Sequence, residues 1–462
     1  MYNGAGQYII AGVDTFSVLY KKWISTHGDY ISNQQLSDFL NNTVDRFLLS
    51  YGTALNYKSK KLPADYSEKI TKNLREMVLG PEFMKDKKIY IDSGGFQISQ
   101  GAIHTKDMPE FMKMYHQFLT DNYDYYSHAF LLDIPPGPGS EDIFSTWDQV
   151  EQLNKESYQM SASMPQKIKD KMIYIHHFRT PSIFKIFSKY LWEDNLAEGY
   201  NYFGTGGIVV NAASDLTIPV IVYTIPLASI LRYAIQKGLK SFKFHILGGA
   251  GFAEVFYHKL FSYHIKQFHN IDVEITYDSS ALFKGLIIGR YIPVLTNEKN
   301  LIKLDLRSNQ LHLRFDNTTI NGKAFEVMND LTEYGFKKLD QSIDSIYDPI
   351  TDTFSTPAHM YLIAHYLKFY REIEELSTEV VKTIYPLYKS GMVAEFDAAC
   401  IEFTKKINAG KVTRKQKAKT YSLHKSLKVL ESLDEEYNMY LVSKFMTGSD
   451  LSYLQSGSSI KF

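Results

Sequence analysis

Three aspartates, Asp92, Asp133 and Asp278, each close a short run of β-branched and aromatic residues: KIYID at 88–92, HAFLLD at 128–133 and VEITYD at 273–278. Aspartate disfavours strand interiors, so at a strand end it either makes a turn or faces a ligand. Any one of the three fits the turn as well as the site, whereas three at strand ends point to a site. Carboxylates gathered in one place can divide the work of a reaction, one acting as nucleophile and one carrying a proton. Directly behind Asp92 stand Ser93, Gly94, Gly95, Phe96 and Gln97, where two glycines allow the backbone to approach a ligand closely.

The elements that must hold these residues follow from periodicity. β-rich runs recur through the first 300 residues: FLLSY (47–51), KIYID, HAFLLD, MIYIH (172–176), NYFGTGG (201–207), FKFHILG (242–248), VEITYD and LIIGRYI (286–292). The segments between them are long enough for helices. Eight such strands predict an α/β fold, a (β/α)8 TIM barrel over residues 1–300, with an open doubly wound sheet as the alternative that strand counting leaves standing. A helix from Ala228 to Lys237, closed by Gly238 and followed by a strand, is the step such a barrel repeats. In a barrel the active site lies at the C-terminal ends of the strands, where the three aspartates fall. The segments LIKLDLRS and LHLRFDNTT around Asn309-Gln310 predict a β-hairpin within a connecting segment, 301–345. From Pro357 the pattern turns helical, giving a helical C-terminal region at 346–462. Its helices are expected in MYLIAHYLKFYREIEELSTEVVKTIYPLY, near FDAACIEFTKKI and near KSLKVLESLDEEYNMYLVSKFM.

Lys and Arg total 51 and so do Asp and Glu, so a nucleic-acid partner would be met by local basic clusters and not by a global excess. The run 411–419 supplies Lys411, Arg414, Lys415, Lys417 and Lys419 without an acid, and reads equally as a solvated surface or a phosphate rail. Lys58, Lys60 and Lys61 carry the same two readings. A single cysteine, Cys400, excludes an intrachain disulfide and a multi-cysteine zinc site, and within FDAACIEF it reads as a buried thiol. No run approaches the roughly 20 apolar residues that cross a bilayer. The start, MYNGAGQYIIAGVD, lacks the features of a signal peptide, so a soluble cytoplasmic protein without a membrane partner is expected. Gly248 to Gly251 suit a tight turn better than a phosphate cradle, because no P-loop lysine follows. His176 and His177 suit either a ligand or a structural hydrogen bond.

The six residues Asp92 to Gln97 resemble the DSGGFQ signature of the tRNA-guanine transglycosylases. The resemblance continues as islands from about Phe47 to Tyr388. FLLSYGTAL (47–55) looks like the family's first barrel strand and loop, and HAFLLDIPP (128–136) falls at its base-reading aspartate. Gly204 to Val210 is similar to its glycine pair, FHILGGAG (244–251) to the loop before the nucleophile, and Tyr277-Asp278 to the nucleophile step. The resemblance implies Asp278 as nucleophile and Asp92 as the second catalytic carboxylate. It implies base binding by Asp133, Gly206 and Gly207 together with Ser93, Gly94, Gly95, Phe96 and Gln97, and it implies no cofactor. Three departures stand out. Ile175-His176-His177 replaces the family's glutamine, Ala281-Leu282-Phe283-Lys284 replaces its proline-threonine-arginine, and the zinc cysteines are missing, although 361–376 still resembles the helix that follows the zinc site. This pattern is similar to the DNA-acting branch, phage or genomic-island enzymes that insert 7-deazaguanine (preQ0-type) bases. The partners then expected are DNA, or alternatively tRNA, and a free 7-deazaguanine base, in the host cytoplasm if the chain is phage-encoded. A non-catalytic partner subunit and a barrel hydrolase of free nucleosides are the other readings, and the oligomeric state is left open.

Overall fold

Short runs of β-branched and aromatic residues buried on both faces are what a parallel sheet requires, because helices cover one side and the barrel interior the other. Eight such strands are present: β1 (Gln7–Ala11), β2 (Arg46–Ser50), β3 (Lys88–Asp92), β4 (His128–Phe130), β5 (Met172–Ile175), β6 (Tyr202–Thr205), β7 (Ser241–Ile246) and β8 (Asp272–Ser279). They pair in sequence order, all parallel, and close into a barrel when β1 meets β8, with Ile9 opposite Asp278. The expected (β/α)8 TIM barrel is therefore the fold. The structure, a computed structural model, describes residues 7–26, 31–56, 58–137, 143–177, 181–206, 219–249, 254–279 and 356–376. It also describes shorter stretches at 291–295, 301–305, 318–320, 323–325, 331, 335–336, 347–348, 353–354 and 426–433.

The helices are α1 (Val13–Thr26), α2 (Asn33–Thr43), α3 (Tyr66–Asn73), α4 (Gly95–Ser99), α5 (Met108–Asp121), α6 (Trp147–Ala162), α7 (Gln166–Lys169), α8 (Pro181–Trp192), α9 (Pro219–Gln236), α10 (Glu254–His269) and α11 (Thr356–Glu375). Capping boxes start two of them, Ser32 with Gln35 for α2 and Thr146 with Gln149 for α6, satisfying amides that a helix start leaves orphaned. The strands' alternation sorts side chains into two cores. Ile9, Ala11, Leu48, Tyr90, Phe130, Ile173, Ile175 and Tyr202 fill the barrel interior, and the larger cluster lies between strands and helices.

Three expectations are corrected. The first strand is β1, which the sequence reading passed over, so FLLSY forms the second strand. Tyr8 to Ala11 are all buried, so this short strand shows no alternation and gives little signal. LIIGRYI is not a barrel strand. Its last two residues begin β9 (Tyr291–Leu295), which pairs antiparallel with β10 (Leu301–Asp305), while 286–290 lie outside the described residues. The LIKLD arm of the expected hairpin is the strand that pairs with β9, and its Asn309-Gln310 turn and second arm, 306–317, lie outside the described residues. Finally, α9 begins nine residues before Ala228 and carries Pro226 inside it. Burial of Tyr223, Thr224, Ile225 and Leu227 offsets the lost helical hydrogen bond.

In the C-terminal region the paired short strands Tyr347–Asp348 and Thr353–Phe354, α11 and a helix at 426–432 are described, and Cys400 and the basic run lie outside the described residues. No helix among the described residues is long and apolar enough to cross a membrane. Helix α11 docks on the barrel through Tyr370, stacked on Tyr8 at 4.2 Å between ring centroids. Its Glu374 Oε1 accepts the Tyr8 backbone N–H at 2.6 Å. Lys259 of α10 donates to the Glu374 carbonyl at 2.8 Å and to that of Leu376, capping the C-terminus of α11.

Burial is the main cause that pushes the Glu374 pKa up to about 7 from 4.5, against the Tyr8 N–H and Arg46, which oppose it. The folded state therefore holds a proton that the unfolded chain has lost, and this group's contribution is full below 4.5 and fades as pH rises through about 7. Replacing Glu374→Gln keeps an acceptor for Tyr8 and should remove a stability component on the order of 2 kcal/mol from that window. Urea unfolding of both proteins at pH 4.5 and 7.5 measures it, and parallel pH dependences would refute it.

Candidate active site

Alternation along the strands decides which end residues face the barrel mouth. Tyr90 lies in the barrel interior, so Asp92, two residues on, points inward at the C-terminal rim. By the same count Thr276 and Asp278 of β8 face inward, and Thr276 bonds to Tyr202 of the interior core. Asp133 follows β4 by three residues and is buried, as is Asp278. All three carboxylates stand at the C-terminal end of the barrel, at the ends of β3 and β8 and behind β4, with Gly95 of the turn behind Asp92 packed on Asp133.

Each carboxylate has different partners. Asp278 Oδ1 accepts from His245 Nε2 at 3.1 Å and from the Gly248 backbone N–H at 2.8 Å. Asp133 Oδ1 accepts from the Ser93 hydroxyl at 3.2 Å, and its Oδ2 is paired with His177 Nε2. Asp92 accepts hydrogen bonds from the Ser50 side chain and the Gly94 N–H. Burial is the largest influence on Asp92 and pushes its pKa up to about 6; the Ser50 bond opposes this, the two neighbouring carboxylates add to it, and the Gly94 bond opposes it. A carboxyl so placed exchanges a proton readily near neutrality.

The glycines after Asp92 are used differently from the expectation that they let a ligand approach. Gly94 sits at φ 88°, and a Cβ there would lie 2.7 Å from the Gly52 Cα. A Cβ on Gly52 would in turn lie 2.8 Å from the Gly94 Cα and 2.8 Å from Gln97 Oε1. Gly95 lies against Asp133, whose carbonyl oxygen would be 2.6 Å from an added Cβ. These glycines let the chain behind β2, the turn behind β3 and the segment behind β4 touch, and so they bring Ser50, Asp92 and Asp133 together. Gly206 makes room for the ring of His177, whose Cε1 would be 2.6 Å from a Cβ. Gly207 lies outside the described residues.

Phe96 is 48% exposed, available as a stacking surface. The Gln97 Oε1 is buried and accepts no hydrogen bond. The Lys58 to Lys61 segment lies on the same face, with the His104 N–H donating to the Lys60 carbonyl at 3.2 Å. His176 is structural: it is buried, stacked on Phe184 at 5.1 Å, and its pKa is lowered to about 3, mainly by burial. Sequence reasoning left His177 undecided and passed over Ser50 and His245. The signal available for each was a polar residue at or near the end of an apolar strand, the same signal that found the aspartates. Gly248, read as turn-making, does turn at φ 77°, and it also supplies an amide to Asp278.

Among the described residues no group of three or more His, Cys, Asp or Glu side chains is arranged to hold a metal ion. The described mouth can instead present a carboxylate held by one oxygen, a second carboxyl of near-neutral pKa and a third, buried carboxylate. Searches against models of protein families and against curated proteins return no match to the chain.

The repulsion within the mouth can be measured directly. A ¹³C carboxyl titration should place Asp92 near 6, and Asp133→Asn or Asp278→Asn should each move it toward 3.8. A midpoint indifferent to both substitutions would show that the three groups do not share one site.

Proposed function

We propose that this barrel is a pentosyltransferase that replaces guanine in DNA by a 7-deazaguanine base through a covalent aspartyl-glycosyl intermediate. One observation carries the reading: three carboxylates share a mouth, and their partners differ in the way a double displacement needs. Breaking an N-glycosidic bond develops positive charge at C1′, which a carboxylate can trap. Anchoring Asp278 through Oδ1 leaves Oδ2 to attack C1′. The bond from C1′ to the guanine nitrogen breaks as the ester forms, and Asp92 in its protonated form delivers a proton to the departing base. The incoming deazaguanine then attacks C1′, Asp92 takes its N–H proton, and Asp278 leaves as a carboxylate. Two inversions retain the configuration at C1′ and predict ping-pong kinetics.

Base recognition falls to Asp133, whose carboxylate oxygens each keep a lone pair beyond the protein bond already made, enough to accept the N1–H and 2-amino group of guanine. Phe96 stacks on the ring, and Ser93 orients Asp133. Gly94 and Gly95 hold the turn, and Gln97 with the backbone amides of Gly206 and Gly207 is assigned to O6 and N7 of the base. In duplex DNA the target base must first leave the stack. The choice of DNA over tRNA follows from the likeness to the DNA-acting branch, since this chain has one cysteine where the family's zinc site needs three, and Lys411, Arg414, Lys415, Lys417 and Lys419 are assigned to backbone phosphates. A non-catalytic partner subunit would have no need of both Asp92 and Asp278 in one mouth.

The decisive assay offers radiolabelled guanine or 7-cyano-7-deazaguanine to plasmid DNA and to unmodified tRNA. Wild type should label DNA. Asp278→Asn should lose on the order of 1000-fold or more and form no covalent adduct, and Asp92→Ala should lose roughly 100-fold. Label entering only tRNA would reverse the polymer assignment, and label entering neither would refute base exchange.

A further inference from the structure

We infer that His245 is a positioning residue for the Asp278 carboxylate, and that Thr276 and Tyr202 hold its ring in the neutral tautomer that can donate to that carboxylate. The functional half of this rests on the reading of Asp278 as nucleophile. His245 and Thr276 are register partners on β7 and β8, both fully buried inside the barrel. His245 Nδ1 lies 2.8 Å from the Thr276 Oγ1, which lies 2.6 Å from the Tyr202 hydroxyl. Tyr202 is itself hydrogen-bonded to Tyr90, so four side chains lead to the Nε2 that meets Asp278 Oδ1 at 3.1 Å. Phe130 meets the imidazole at 62° with centroids 4.9 Å apart and fixes the plane of the ring.

Proton counting gives the chain its direction. An ionised Asp278 has no proton to donate, so His245 Nε2 must carry one. When Tyr202 donates to Thr276, the Thr276 proton points at Nδ1, which then accepts and has no place for a second ring proton. The ring is neutral, with its donor facing Asp278. A neutral donor suits both ends of the attack, because Oδ1 is a carboxylate oxygen before it and the ester carbonyl oxygen after it. An imidazolium would form an ion pair that is lost as the charge on Asp278 disappears, stabilising the ground state more than the transition state. With Gly248 as the second donor on Oδ1, the relay fixes which oxygen is left to attack.

Histidine-selective ¹⁵N NMR of the full chain tests the tautomer without any substrate, with His245→Gln identifying the signal among the 14 histidines. Wild type should show a protonated Nε2 and a bare Nδ1, Thr276→Val should let Nδ1 take a proton while Nε2 keeps the one facing Asp278, and Thr276→Ser should restore the bare Nδ1. In base exchange Thr276→Val should lower kcat on the order of 10- to 100-fold with little change in KM, the scale set by misplacing a reacting atom. The same substitution made in a His245→Gln background, whose amide donates without a tautomer to choose, should cost little more. Thermal midpoints verify that each variant is folded. A wild-type ring protonated at Nδ1, an Nδ1 still bare in Thr276→Val, or an undiminished loss in the His245→Gln background would each overturn the relay. A wild type that moves no labelled base would instead refute base exchange, while the NMR result would still decide the relay.

Discussion

Like charges crowded into one barrel mouth are the constraint around which the polar detail of this end of the protein is arranged. Asp278 and Asp133 each accept two hydrogen bonds, one of them from a histidine, His245 on the neighbouring β7 and His177 just behind β5. Asp92 is held by a hydroxyl and an amide, and burial first, with the repulsion added to it, gives this carboxyl an affinity for a proton up to about pH 6. The same physics that makes three carboxylates costly to assemble makes them chemically distinct. Environment and not residue type separates a group that holds a proton from one that stays available to attack.

That crowding is possible only because backbones touch where side chains would forbid it. Gly52 and Gly94 occupy each other's Cβ space, and Gly95 lies on the Asp133 carbonyl, so three strand ends converge more closely than any larger residues would allow. Closure of the barrel supplies the other half. Pairing β1 to β8 sets Ile9 opposite Asp278 and carries Asp278, nearly two hundred residues from Asp92, round to the same rim.

Below the mouth the barrel interior is not uniformly apolar. Arg46 meets Glu274 at 4.0 Å near the bottom, while Tyr90, Tyr202, Thr276 and His245 form a polar seam up to Asp278. A buried seam of this kind is tolerable only when its members satisfy one another, and it then fixes orientation more firmly than an apolar filling can. Helix α11 works from outside the sheet, where Tyr370 and Glu374 fasten it to β1 beside the closing seam of the barrel. The C-terminal region is thereby tied to the strand that completes the site.

The sequence by itself determined an α/β fold with a barrel as the expectation, because the spacing of apolar runs and helical segments is a local property, and pairing of β1 with β8 decided the barrel over an open sheet. It also determined Asp92, Asp133 and Asp278 as candidates, because a carboxylate that ends a strand breaks a local rule in full view. It did not determine β1 or the pairing of β9 with β10, since a short buried strand has no alternation to read and LIIGRYI carries the same apolar signal as the barrel strands. Only the tertiary structure decided that the Asp92 glycines serve chain crossing, that His177 and His245 belong to Asp133 and Asp278, and that Asp92 titrates near neutrality. Those are contacts between residues tens of positions apart in the chain, and a pKa or a hydrogen-bond partner is set by what folding brings near, which no local pattern encodes.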